Sequence, residues 1–232
     1  MGNRVFDVIR RLLDELEATQ ADNIEAAARL EVETFKRGGI LQAYGVGHSE
    51  GGASEICHRA GGFIPTKKLR DPTFGLYQDI PGVGVQFLES ADLRPEDTLV
   101  LISNSGRNNM IVEMAIEAKR RGCGVIVVTS LEASKRLTPK HKDGKNLYAY
   151  GDVVLDNRVM DGDSSIQLEG MDSRICGMSS ITTAALLQAA MCRATEIFLE
   201  EGTVPPVYMS VNVDGGREYN KKLEEQYKDR LR

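Results

Sequence analysis

The sequence predicts an α/β fold, a three-layer α/β/α sandwich around a mostly parallel sheet. Residues 98–130 contain an apolar strand, a helix with an apolar stripe and a second apolar strand, in that order. Such a βαβ unit has parallel strands joined by a right-handed crossover. Two further apolar segments, 40–44 and 152–156, have the composition of strands buried on both faces.

Residues 3–37 carry the apolar pattern of two helices. The first stripe consists of Val5, Phe6, Ile9, Leu12, Leu13 and Leu16, and the second of Ile24, Ala27, Leu30 and Phe35. The segment 19–22 is a variant of a capping box, which favours two helices over one continuous rod. The stripes are explained either by helices that cover the sheet or by a subunit interface.

A Gly-rich turn, 45–49, follows the first strand and leads into a helix expected over 50–60. Its position at the carboxyl end of a strand is typical of a ligand-binding loop. His48 is either a proton carrier or a residue with a local capping role. Glu55 and His58 would share one face of the helix, where they could serve as acid and base. The alternative is a solvated Glu and a packed His.

Residues 61–82 predict a short strand near 63–64 followed by a long loop. Lys67, Lys68 and Arg70 would lie in this loop, as a lid over an anion or, more simply, as a solvated charge cluster. The next segment, 83–88, is compatible with a short helix or a strand.

The strand at 98–102 runs directly into Ser103-Asn104-Ser105-Gly106, and a helix follows from Asn108. Hydroxyl side chains, a Gly and a new helix N-terminus together offer several donors to an anion. The loop therefore predicts a phosphate site. Ordinary helix capping explains the same residues equally well, because Ser and Asn are preferred N-cap residues.

The last third of the chain predicts one more buried strand, an edge strand or hairpin near 165–168, and a long helix that begins at Ser179-Ser180. Ser179 and Ser180 are either caps or a third set of ligand donors. An extended segment, a turn at 212–216 and a final amphipathic helix complete the chain.

The composition, with 41% hydrophobic and 27% charged residues among 232, indicates a globular protein large enough for one core. We expect one domain over 1–232, with N-terminal helices over 1–38, an α/β core over 39–201 and a C-terminal extension over 202–232. The net charge of −5 argues against nucleic acid or anionic membranes as partners. Four Cys without a CxxC pair and an N-terminus without a long apolar run predict reduced thiols and a cytoplasmic location.

The stretch 101–129 closely resembles the signature of the sugar isomerase (SIS) domain family, whose Ser-x-Ser-Gly loop grips a sugar phosphate. The turn 44–49 looks like the family's other phosphate loop. The segments Gly47-His48-Ser49, Arg59-Ala60-Gly61-Gly62 and 205–216 are most similar to the bacterial UPF0309 group. The resemblance implies the SIS fold, with a five-stranded, mostly parallel, flavodoxin-like sheet that brings both loops into one pocket. It also implies a homodimer or higher homo-oligomer paired through helices.

The resemblance implies recognition of a phosphorylated sugar and aldose–ketose isomerisation, or a related elimination or deamination. For this function we predict Glu55 as the base and His48 as the partner that protonates oxygen. We expect Ser49, Ser103 and Ser105 to bind the phosphate, with Asn104 and Asn108 in support, and Gly47, His58, Ser179 and Ser180 to be further substrate contacts.

We expect no cofactor and no metal. Phosphoheptose isomerases of the superfamily place His and Glu four residues apart on the helix, and Gln and His on a late helix, as metal ligands. The matching helix positions here are Glu55 and Arg59, and the late helix offers Gln188 but no His. The alternative function is a non-catalytic phosphosugar-sensing regulatory protein. A nucleotide site is disfavoured, because neither GxGxxG nor GxxxxGK[ST] is present.

Overall fold

The computed structural model describes residues 3–231. Two helices open the chain, α1 (Arg4–Thr19) and α2 (Ala21–Lys36), as the capping pattern predicted. The side chain of Asn3 caps α1 by accepting a hydrogen bond from the backbone N–H of Val5. At the break between the helices, Gln20 is buried and its side-chain oxygen accepts a hydrogen bond from the backbone N–H of Asp156. The corner between the two helices is thereby fixed to the sheet.

Five parallel strands form the central sheet in the order β2-β1-β3-β4-β5, which confirms the predicted flavodoxin-like topology. They are β1 (Leu41–Gly45), β2 (Thr66–Lys68), β3 (Thr98–Ile102), β4 (Gly124–Thr129) and β5 (Val153–Asp156). β1 lies between β2 and β3, so the strand order reverses beside it. The loops that follow β1 and β3 therefore lie next to each other at the carboxyl edge of the sheet.

Helices cover both faces of this sheet, and the strand residues alternate between them. Tyr44, Leu99, Leu101, Val125 and Val127 pack on one side with α4 (Val83–Glu89) and α5 (Asn109–Arg120). Ala43, Val100, Ile102, Ile126 and Val128 pack on the other with α2, α3 (Glu50–Ile56) and α7 (Ser179–Glu200). Each large side chain buried in this way contributes about 1.5–3 kcal/mol. Burial on both faces explains why the strands read as continuous apolar runs.

The remaining elements flank this core. Helix α6 (Leu131–Arg136) follows β4, and α8 (Gly216–Glu224) lies near the chain's end. The predicted hairpin is present as β6 (Ser164–Ile166) and β7 (Ile175–Gly177), which pair antiparallel. None of the helices within residues 3–231 combines the length and apolar character needed to cross a bilayer.

The helix after β1 is shorter than predicted. α3 ends at Ile56, Cys57 is extended, and His58 adopts a left-handed backbone with φ 53°. The chain leaves the helix because the segment after it pairs with the tail: Gly61 donates to the carbonyl of Tyr208, and Tyr208 donates to that of Gly62. The prediction that Glu55 and His58 share a helical face is therefore wrong.

Two of the three basic residues assigned to the loop lie instead in strand β2. Lys67 and Lys68 pair in register with Gln42 and Ala43 of β1. The ammonium of Lys68 donates hydrogen bonds to Glu50 and Ser54 at 2.8 and 2.9 Å. The prediction that Lys67 and Lys68 lie in a loop is wrong, because a strand of three residues is too short to be recognised from its pattern.

A buried carboxylate organises the amino edge of the sheet. Asp97, which has no exposed surface, accepts hydrogen bonds from the backbone N–H groups of Ile40 and Arg94 at 2.9 and 3.0 Å. Its second oxygen also accepts from Gln42 at 3.0 Å and from the guanidinium of Arg230 at 2.6 Å. This Asp97 cluster ties the end of the chain to β1 and β3.

Candidate functional site

A cavity of about 330 Å³ opens at the carboxyl edge of the sheet, where the order of the strands reverses. This volume lies at the small end of the range for small-molecule sites. Three segments contribute most of its wall: 46–49, 103–108 and the turn 160–163. The lining residues include Val46, His48, Ser49, Gln78, Ser103, Asn104, Ser105, Asn108, Ser130, Met160, Asp161 and Asp163. A larger groove, about 730 Å³, lies beside α5 but contains none of the predicted site residues.

The loop after β3 is held in one conformation by its own hydrogen bonds. The hydroxyl oxygen of Ser103 accepts from the backbone N–H of Gly106 at 3.1 Å, which leaves its O–H available to a ligand. The carbonyl of Ser105 accepts from the hydroxyl of Ser134 at 2.7 Å. Gly106 has φ 58°, and a Cβ there would lie 3.0 Å from Leu147, so this turn requires a glycine.

Asn104 and Asn108 are each fixed by another amide side chain. The oxygen of Asn104 accepts a hydrogen bond from Asn157 at 2.7 Å, while its amide nitrogen is buried without a partner among the residues that the structure describes. Asn108 stands at the N-cap of α5 and donates to the side chain of Gln78. The rigid amides support the loop on both sides of Ser105.

The turn after β1 forms a single 3₁₀ turn, Gly47–Ser49, that leads into α3. Ser49 and His48 both line the cavity, and the side chain of His48 is 63% exposed. The two predicted phosphate loops are thus brought together around one space.

Asp163 is a cavity residue that the sequence analysis missed. One of its oxygens accepts from the backbone N–H groups of Met178 and Ser179, at 3.0 and 2.8 Å, and the other from the hydroxyl of Ser179 at 2.7 Å. Nε2 of His48 lies 3.6 Å from that second oxygen. Its only sequence signal is an Asp-Gly-Asp turn before a hairpin, which is common in surface loops.

Asp161 lies on the same turn and faces the mouth of the cavity. Its carboxylate pairs with the guanidinium of Arg136 on α6, with a shortest contact of 2.6 Å. The hydrogen bond from Arg136 lowers the pKa of Asp161. The pair joins the two walls of the cavity, although exposed ion pairs of this kind contribute little stability.

Gly47 and four other predicted site residues are not among those that line the cavity. Glu55 accepts hydrogen bonds from Gln188, at 2.8 Å, and from Arg59, one turn further along the chain. His58 lines a separate groove with Tyr208, on the tail side of the molecule. Ser179 is buried against Asp163, and Ser180 is exposed. The roles assigned to these residues stay predictions.

The surroundings of Glu55 differ from those of a metal ligand, because Arg59 and Gln188 both donate hydrogen bonds to its carboxylate. Among residues 3–231, no three His, Cys, Asp or Glu side chains lie close enough together to hold a metal ion. The cavity itself offers hydroxyls, amides, one imidazole and two carboxylates. These groups can bind an anion at the Ser loops and exchange protons at the opposite wall.

Comparisons with known proteins concern the family and the fold of the chain. A sequence model of the SIS domain matches residues 5–130. The UPF0309 protein lmo0025 of Listeria monocytogenes is 47% identical over 231 residues, which cover 100% of this chain and 99% of that protein. The UPF0309 protein SCO4393 of Streptomyces coelicolor is 38% identical, over 97% and 93% of the two chains.

The fold is also similar to that of phosphoheptose isomerase GmhA from Neisseria gonorrhoeae, with a TM-score of 0.58. The identity is 20%, and the alignment covers 83% of this chain and 96% of that one. At this identity the likeness concerns the fold alone. From the family match and the full-length relatives together, the chain belongs to the SIS domain family and, within it, to the UPF0309 proteins.

Proposed function

We propose that the chain binds a phosphorylated sugar and catalyses its aldose–ketose isomerisation. The observation that carries the proposal is the convergence of the Ser103–Gly106 loop and the Gly47–Ser49 turn on one cavity. Ser49, Ser103 and Ser105 would donate to the phosphate oxygens, and Asn104 and Asn108 would hold the loop. Hydrogen bonds to a charged group contribute about 1.5–3 kcal/mol each, so a few such donors suffice for binding.

The chemistry requires a base that removes the proton next to the carbonyl and a group that protonates the oxygen. Glu55 remains the proposed base and His48 the proposed partner. Glu55 lies six residues beyond Ser49, which is about 9 Å along a helix axis. A sugar with its phosphate at the Ser loops would therefore have to extend along α3 to meet Glu55.

We also propose that the protein is a homodimer that acts in the cytoplasm. Phe6 and Leu13 lie one above the other on α1 and are 56% and 38% exposed, so α1 keeps an apolar stripe facing outwards. Light scattering during gel filtration of wild type and Phe6→Glu tests the assembly, because a charge on the stripe should produce monomers. A wild-type monomer would contradict it.

The function is tested by a thermal-shift screen with hexose, hexosamine, pentose and heptose phosphates. Any ligand that stabilises the wild type is then followed by NMR in deuterated water for exchange of its C1 and C2 protons. Binding with exchange supports the isomerase. Binding without exchange or turnover supports a phosphosugar sensor instead, and the absence of any binding contradicts both.

A further inference from the structure

We propose that Asp163 is a positioning residue that orients the imidazole of His48, and that the oriented ring exchanges protons with the oxygens of a bound sugar phosphate. The inference rests on the proposed function and deepens it. It assigns a role to a carboxylate that belongs neither to the phosphate loops nor to α3.

The Asp163 carboxylate is fixed in space by three donors. Both backbone N–H groups and the hydroxyl come from the start of α7, a helix of 22 residues. Strand β7 lies against the same group, because a Cβ at Gly177 would be 2.9 Å from the carboxylate oxygen near His48. The side chain therefore cannot turn away without breaking the hairpin or the helix start.

The backbone around Asp163 is strained to reach this position. Asp163 has φ 67°, in the left-handed region that few residues other than Gly adopt. Such strain persists where the surrounding structure over-determines it, and it is concentrated at functional sites. A helix cap alone does not require it, since a Ser or Asn at the N-cap itself provides the same hydrogen bond. Here the cap comes from a residue 15 positions upstream of Met178.

The geometry is that of an open His–Asp pair. The 3.6 Å between Nε2 of His48 and the Asp163 oxygen is within ion-pair range but longer than a hydrogen bond. His48 is largely exposed, so a small rotation of its ring closes the gap. Catalytic hydrogen bonds are often long in unliganded proteins and tighten when a substrate binds.

In the closed pair, Nε2 carries the proton that points to Asp163, and Nδ1 exchanges a proton with the ligand. While a base removes the C2 proton of an aldose, the imidazolium gives its Nδ1 proton to the carbonyl oxygen, which yields the enediol. The neutral ring then takes the proton of the C2 hydroxyl as C1 receives the carbon-bound proton. One hydrogen moves from C2 to C1 and one from O2 to O1, without an oxidant.

Asp163→Asn tests the pair directly. Asn tolerates the left-handed backbone and caps helices, so the fold is retained. Its oxygen stays with the two backbone N–H groups, and its amide nitrogen then faces His48 as a donor. A donor that faces Nε2 favours the tautomer of the neutral ring with its proton on Nδ1. The ratio of Nε2–H to Nδ1–H tautomers should therefore fall about tenfold.

The measurement is the ¹⁵N spectrum of the imidazoles, in which three His are assigned with the help of His48→Gln. Asp161→Asn is the matched control: it removes the same charge from the same turn, but its carboxylate pairs with Arg136 and not with His48. An unchanged tautomer ratio in Asp163→Asn, or an equal change in Asp161→Asn, would overturn the proposal.

If Asp163→Asn does not fold, His48→Gln tests the same contact by removing the imidazole instead of the carboxylate. The ¹³C signal of the Asp163 carboxyl should then shift, and it should not shift when His58 is replaced. A constant signal in His48→Gln contradicts the pair.

Catalysis is measured separately. With a substrate from the screen, Asp163→Asn should lower kcat for proton exchange about 10- to 100-fold and leave KM nearly unchanged. A rise in KM as large as the fall in kcat would indicate a structural role and contradict the proposal. If no sugar phosphate binds to the wild type, the proposed function fails, whereas the tautomer experiment still decides whether Asp163 orients His48.

Discussion

The two edges of the sheet each hold a conspicuous carboxylate, and the two are used in opposite ways. At the amino edge, Asp97 is fully buried and bound by four donors, one of which is the guanidinium of Arg230. At the carboxyl edge, Asp163 is also bound by fixed donors, but it faces a cavity and a largely exposed His48. The buried guanidinium leaves no room for a ligand at Asp97, whereas Asp163 remains accessible to one.

Glu55→Gln has the largest expected effect and tests whether a residue of α3, outside the cavity, takes part in the chemistry. Glu55→Gln keeps the shape of the side chain and can still accept from Gln188, so sugar-phosphate binding should persist. If Glu55 is the base, C2 proton exchange should fall about 10²- to 10⁴-fold, as measured by NMR. Full activity in Glu55→Gln would restrict the chemistry to His48 and its neighbours.

Asp97→Ala tests the closed site at the amino edge. The change leaves Arg230 buried without its closest partner, so the free energy of unfolding should fall by about 3–5 kcal/mol. Urea denaturation measures this loss. Glu96→Ala is the matched control, because Glu96 lies 3.7 Å from the same guanidinium but is one-third exposed. A similar loss in both variants would show that Asp97 has no special role.

Glu31 sharpens the comparison as a third carboxyl group that lacks the donors of Asp97. It is buried on α2, one of its oxygens has no partner in the described part of the chain, and burial raises its pKa from 4.5 to about 8. Because the folded state holds this proton more tightly, its contribution to stability is largest at low pH. That contribution falls as pH rises from 4.5 through about 8 and is constant above.

Glu31→Gln should therefore raise the free energy of unfolding by a few kcal/mol, an order of magnitude set by the difference between the two pKa values of Glu31. The increase should be larger at pH 9 than at pH 5. Urea denaturation of both proteins at the two pH values measures it. A gain that does not depend on pH would mean that ionisation of Glu31 has no part in stability.

The smallest expected change concerns the phosphate loops. Ser103→Ala/Ser105→Ala should weaken binding of a sugar phosphate about 10- to 100-fold, because hydroxyl donors to a charged group are lost. The melting temperature without ligand should fall only slightly, because the bond from Gly106 to the Ser103 hydroxyl is lost but the bond from Ser134 uses the backbone carbonyl of Ser105. Ser90→Ala, at an exposed position that ends α4 and does not line the cavity, is the control for calorimetric titration. Equal affinity in all three proteins would remove these serines from the site.

Much of the fold could be predicted from the sequence, because strands buried on both faces carry their own signal. Residues 99–102 are apolar, and together with Thr98 they form β3 over the predicted range. The position of the Ser103 loop then follows, since the carboxyl ends of parallel strands meet at one edge. The site residues that come directly after a strand were brought together for this reason.

Residues whose placement depends on distant segments could not be predicted in the same way. The length of α3, and with it the relation of Glu55 to His58, depends on pairing with Tyr208 about 150 positions away. Asp163 reaches the cavity only because a hairpin folds back onto the start of α7. Hydrophobic periodicity reports local burial and carries no information on such long-range contacts.

The Asp97 cluster has a consequence for how the protein is made. Asp97 and Arg230 are 133 positions apart, so a ribosome that adds about 5–20 residues per second needs on the order of ten seconds to connect them. All five strands of the sheet are synthesised before the cation that neutralises Asp97. The amino edge of the sheet can therefore close only after Arg230 has been synthesised, and a nascent chain halted before that residue should keep the edge hydrated.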